Sequence, residues 1–221
     1  QKPGTTTKYV TYAGFVRNRV SVVEVTAEGI LDADGNPYTY LQNDYTLERA
    51  AFAYGERTPN SAVPGSGSAT FSGDMIASMV FNPDIDTSAV ANTYFQWITG
   101  SATHTVDFGT LGILSSFTGR VGDVARDAYS NGEHSTPEGS TFTAASRATI
   151  DLVGKGGFFG QFNSASFQRP DGTTFTLDIA GSSIDGAFFG PAAEEIGGGF
   201  RIVGGTPDER IDILGAFTGK K

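Results

Sequence analysis

Gly186-Ala-Phe-Phe-Gly-Pro-Ala-Ala-Glu-Glu-Ile-Gly-Gly-Gly-Phe200 is the stretch on which the fold turns. An aromatic run meets a glycine run across a few small residues. Pro191 has a fixed φ and no N–H to lose, which suits the first position of a helical or 3₁₀ turn. Glu194 and Glu195 then fall near the N-terminal end of that turn, where the dipole favours negative charge. Gly197-Gly-Gly199 releases the chain into a new strand. Gly186, Phe188, Gly190, Pro191, Glu194, Glu195, Gly197 and Gly198 are thus read as structural: they join two strands and serve no chemistry.

Working outward, the same strand-turn-strand grammar repeats. Eight segments read as strands: Ser68–Asp74, Ser101–Phe108, Ile113–Val121, Thr141–Leu152, Gly157–Phe167, Thr174–Phe188, Gly197–Val203 and Arg210–Phe217. Alternation places His104, Val106 and Phe108 on one face, and Phe175, Leu177 and Ile179 on another. Gly109 and Asp171-Gly172 mark tight hairpin turns. Short connections imply antiparallel, up-and-down order. Eight such strands close into a barrel, which removes exposed sheet edges. At that size the inside is filled by side chains or holds one small ligand, and 17 phenylalanines favour filling.

The first 65 residues form a separate β-rich region. Tyr9–Val16, Val20–Ala27 and Tyr38–Leu41 read as strands, and Leu47–Tyr54 as a strand or short helix. Leu31-Asp-Ala-Asp-Gly-Asn-Pro37 is a turn. Its Gly comes directly after the second Asp, out of step with a calcium loop. Thr58-Pro-Asn-Ser-Ala-Val-Pro-Gly-Ser-Gly67 is a connector, which gives domains at 1–65 and 66–221. Two longer loops, 82–97 and 122–139, are where a rigid scaffold would carry binding function.

Composition narrows the function. Fifteen basic and 24 acidic residues give a net charge of −9, which argues against nucleic acid and anionic lipid. With no cysteine there is no thiolate metal site or thiol nucleophile. No Gly-x-Ser-x-Gly elbow and no paired-histidine zinc motif occur, and Glu194-Glu195 are adjacent rather than a glycosidase pair on separate strands. No catalytic or metal residues are therefore assigned, and an enzyme is not expected. His104, on an apolar face near a strand start, reads first as a satisfied histidine near a barrel end; His134, in a polar loop, as a solvated one. Tyr12, Tyr38, Tyr40 and Tyr45 belong to a dense aromatic set whose ordinary use is core packing and whose alternative use is recognition.

The closing segment, with Leu214-Gly-Ala-Phe-Thr-Gly-Lys-Lys221 and Pro64-Gly-Ser-Gly-Ser-Ala-Thr-Phe-Ser-Gly73, resembles the barrel of transferrin-binding protein B. The resemblance covers roughly the last 155 residues. It implies an all-β chain: an eight-stranded antiparallel barrel preceded by a small β-rich handle domain, in one lobe similar to haemophilins. It implies a bacterial cell-surface lipoprotein of the outer membrane, or a secreted protein, that captures a nutrient. Haem or an iron-carrier protein is the expected cargo, an outer-membrane transporter the expected partner, and a monomer the expected state. One lobe makes transferrin itself an unexpected ligand. The polar start, Gln1-Lys-Pro-Gly, is read as a trimmed end, with any anchor upstream. If haem is held, Tyr12, Tyr38, Tyr40, Tyr45, His104 and His134 are the candidate ligand contacts. The alternatives are a module binding a host or environmental protein through the handle and the two loops, and a binder of another small ligand at the barrel mouth.

Overall fold

Eleven strands account for almost all the regular structure in a computed structural model that describes residues 6–82, 94–125, 136–206 and 209–221. The first two, β1 (Val10–Leu31) and β2 (Pro37–Gly55), pair only with each other. A single 3₁₀ turn, Asn60–Ala62, leads into the rest. There follow β3 (Ser68–Asn82), β4 (Tyr94–Asp107), β5 (Gly112–Ala125), β6 (Thr141–Asp151), β7 (Gly157–Gln168), β8 (Thr174–Thr176), β9 (Asp178–Phe189), β10 (Glu195–Thr206) and β11 (Glu209–Lys220). The order is β6-β5-β4-β3-β11-β10-β9-β7-β8, and β6 also pairs with β7. That pairing closes a ring of eight antiparallel strands, with β8 a three-residue addition beside the end of β7. The expected barrel is present.

Period-two alternation fills it. Along β6, Phe142, Ala144, Ser146, Ala148 and Ile150 are buried while Thr143, Arg147 and Thr149 face out. Phe71, Phe117, Phe158, Phe162, Phe188, Phe200 and Phe217 share one core, with ring centroids 5.0 Å apart for Phe117–Phe200 and 5.5 Å for Phe108–Phe188. The interior is therefore packed, as the phenylalanine count implied. Carboxylates close several hairpins. Asp107 accepts the N–H groups of Gly109 and Thr110 at 2.9 and 3.0 Å, Asp151 that of Gly154 at 2.7 Å, and Asp171 that of Thr173 at 2.8 Å. Asp32 does the same for Asp34 and Asn36 between β1 and β2, so the Asp-Ala-Asp-Gly sequence is a hairpin turn.

Large inward rings leave no room for side chains opposite. A Cβ on Gly198 would lie 2.0 Å from the Asp185 carbonyl oxygen and 2.8 Å from the Phe217 ring. Gly198→Ala is expected to cost about 2 kcal/mol by overpacking, read as a lower urea midpoint at unchanged slope.

The chain divides into two compact units: Phe15–Ala50, and the residues up to Gly14 together with Ala51–Lys221. The smaller unit is the outer part of the β1–β2 hairpin. Glu48 bonds Arg17 and, at 3.2 Å, Arg19 across it.

The structure corrects several local expectations. The four short strands read before residue 55 are two long ones of 22 and 19 residues. A two-stranded ribbon has water on both faces, so polar interruptions such as Arg17 and Arg19 do not end a strand there. Much of the aromatic set lies outside any core: Phe15, Tyr38, Tyr40, Phe52 and Tyr54 are all exposed. Tyr94–Trp97 and Gly122–Ala125, expected in loops, are strand. The other loop positions, 83–93 and 126–135, lie outside the described residues.

Candidate functional site

The Gly186–Phe200 segment is a tight hairpin and contains no helical turn. Gly190 (φ 84°) and Ala193 (φ 58°) both take left-handed backbone, which ends any helix before it forms. Pro191 sits between strands, and Glu194 accepts the Ala192 N–H at 2.8 Å. Glu195 opens β10 as a buried carboxylate with 4% exposure. It does not answer a helix dipole. Its oxygens accept the backbone N–H groups of Lys8, Tyr9 and Val10 at 2.6, 2.7 and 3.0 Å. Thr58 donates from its backbone to Phe188 O and from its hydroxyl to Gly190 O at 2.6 Å, while Gly190 N–H meets Glu56 O. A Cβ on Gly197 would stand 2.7 Å from Val10, so the bare backbone there admits the N-terminal segment. The motif thus clamps residues 8–10 and 56–58 onto the barrel wall. The sequence signal for that clamp was an acid, Glu195, placed directly before the apolar and glycine run Ile196–Phe200.

His104 lies in the core. Strand β4 begins seven residues before the predicted start, and His104 stands near its other end, which is Asp107. Its exposure is 0%. Nδ1 is 2.8 Å from the Ser115 hydroxyl, the ring stacks 4.5 Å from Phe217 and 5.6 Å from Phe117, and Nε2 is buried without a partner. Burial holds the imidazole neutral by pushing its pKa down to about 3.

The tyrosines divide. Tyr12 is half-buried, and its phenol is pushed up by desolvation, with Asp74 adding to the effect. Tyr38 and Tyr40 alternate on one face of the smaller unit, stacked at 6.2 Å and exposed. With Val20, Val22, Ile30, Leu31 and Leu41, they give that unit an apolar surface without a core behind it. The Tyr45 side chain and His134 lie outside the described residues. Among the described residues, no three His, Asp or Glu side chains gather as a metal site.

A phenylalanine-filled barrel has its interior taken up by its own side chains. Residues 63–221 match the model of the C-lobe and N-lobe β-barrels of Tf-binding protein B, and the chain belongs to that family of binding proteins. No curated protein sequence matches it. Solved structures similar to it include a double mutant of the vaccine antigen transferrin-binding protein B from Haemophilus parasuis Hp5, at 19% identity and TM-score 0.40, covering 97% of this chain and 37% of that one. Intact Ap-TbpB, with its N and C lobes, is similar at 19% identity and TM-score 0.41, covering 96% of this chain and 33% of that one. This chain spans about a third of the length of those structures.

Proposed function

We propose that this chain is a non-catalytic bacterial surface or secreted protein for nutrient capture, acting as a monomer that takes haem or an iron-carrier protein and passes it to an outer-membrane transporter. The observation that carries the reading is the number of large apolar side chains exposed on Phe15–Ala50, with Tyr38 and Tyr40 stacked side by side. Isolated two-stranded ribbons are marginal in water, and large exposed apolar patches mark interaction sites. Tyr38 and Tyr40 are large, stiff and amphipathic, the type of side chain favoured at recognition surfaces. They suit a protein surface, and with Tyr12 they remain phenolic candidates for a haem iron. His104, sealed in the core, contributes no contact.

Two titrations test this. Haem added to the protein is expected to give a shifted Soret band at a fixed stoichiometry, or else an immobilised chain is expected to retain an iron-carrier protein saturably. Tyr38→Ser with Tyr40→Ser should weaken the retained cargo at least tenfold, in line with about 2 kcal/mol for aromatic anchors. Neither a Soret shift at micromolar haem nor saturable carrier binding would overturn the proposal.

A further inference from the structure

The outer wall of the barrel carries a large cleft, about 1440 Å³, whose lining includes Gly197-Gly-Gly199 of the turn segment. One side is the base of β2, Ala51–Gly55. The floor and other side are the outward faces of β6, β7, β9 and β10. All of it belongs to the larger unit.

Its chemistry differs from the rest of the surface. Phe159 points outward from β7 at 45% exposure, on a strand whose other outward neighbours, Gln161 and Asn163, are polar. Across the cleft, Phe52 and Tyr54 lie as an exposed ring pair 5.8 Å apart. The charge balance is inverted as well. Arg57, Arg147, Lys155 and Arg201 line the cleft against a single carboxylate, Asp185, in a chain of net charge −9. Arg201 is neutralised by Asp212 at 2.6 Å, and Arg57 spends one N–H on the Gly156 carbonyl. Arg147 and Lys155 have no carboxylate partner among the described residues.

We infer that this cleft is a binding site for an amphipathic organic anion, with an apolar body against Phe159, Phe52 and Tyr54 and a carboxylate or similar group held by Arg147 and Lys155. The two kinds of contact are complementary. Aromatic walls gain from desolvating an apolar body, and unpaired cations gain an anionic partner that the protein itself does not supply. Asp185, opposite Phe159 in the β7–β9 pairing, is the one opposing charge. Desolvation pushes its carboxyl up from the ordinary value. The inference does not depend on the cargo proposed for Phe15–Ala50, because it uses none of the residues of that unit.

The test uses the whole chain and the fluorescent aromatic sulfonate 1-anilinonaphthalene-8-sulfonate. Saturable enhancement at one probe per chain is expected, weakening with added salt. Arg147→Glu with Lys155→Glu should weaken it at least tenfold, Phe159→Ser several-fold, and Asp185→Asn should tighten it. Arg210→Glu, outside the cleft, should leave it unchanged. Displacement by palmitate would assign the anion to a lipid chain, and displacement by 2-naphthoate to a flat aromatic acid. Binding indifferent to the Arg147, Lys155 and Phe159 changes would overturn the site. So would displacement by neither acid. Circular dichroism of each variant separates lost binding from lost folding, and unchanged cargo capture by the Arg147/Lys155 variant keeps this test apart from that of the ribbon.

Discussion

Glu195→Ala is expected to lower the unfolding free energy by about 3 kcal/mol and to release the segment around Val10 from the barrel. The carboxylate is buried and accepts three backbone N–H groups. Hydrogen bonds to a charged acceptor contribute roughly 1.5–3 kcal/mol each, and an orphaned buried donor costs about 1–3 kcal/mol. The Val10 N–H is the one most fully shut away from water, since Val10 is 4% exposed. The ring of eight strands does not run through Glu195–Val10, so the barrel should stay folded. Amide exchange at Tyr9 and Val10 should become fast while β3 and β11 remain protected. Glu195→Gln should fall between, because its NH₂ end faces a donor. Unchanged protection at Val10 in the alanine variant would contradict the clamp.

Acid should weaken the fold through His104. Its folded pKa, about 3, is below the ordinary 6.5. The unfolded chain therefore binds a proton in this range that the folded chain refuses, and stability is full above about pH 6.5 and is lost as pH falls toward 3. The slope is roughly 1.4 kcal/mol per pH unit, on the order of 5 kcal/mol in all. His104→Phe combined with Ser115→Ala keeps an aromatic ring beside Phe117 and Phe217 and leaves no orphaned hydroxyl. Urea midpoints measured from pH 7 to pH 4 should fall steeply for the natural chain and less steeply for the double variant. Parallel curves would remove His104 as the cause.

Legibility from sequence followed the period-two pattern. Where one strand face is buried, alternation is imposed by the core, and Thr174–Ile179 or Thr103–Phe108 could be read directly. Where both faces are wet, nothing imposes it. The ribbon of β1 and β2 therefore reads as separate short pieces, and Tyr38 and Tyr40 have no core behind them. The face of His104 follows from alternation, whereas its full enclosure comes from Phe117 and Phe217, which only folding brings beside it. The charged and aromatic lining of the cleft left no sequence trace. Arg57, Arg147, Lys155, Phe159 and Asp185 come from separate segments and meet only when the barrel closes.

The Gly186–Phe200 segment divides the two kinds of knowledge. Its glycines and aromatics determined, by themselves, that two strands meet in a tight turn and that the chain is a barrel, because those choices are local and steric. What Glu195 does there was decided by tertiary structure alone. Three N–H groups some 185 residues away in the chain reach its carboxylate through folding, and no local propensity encodes a contact at that distance.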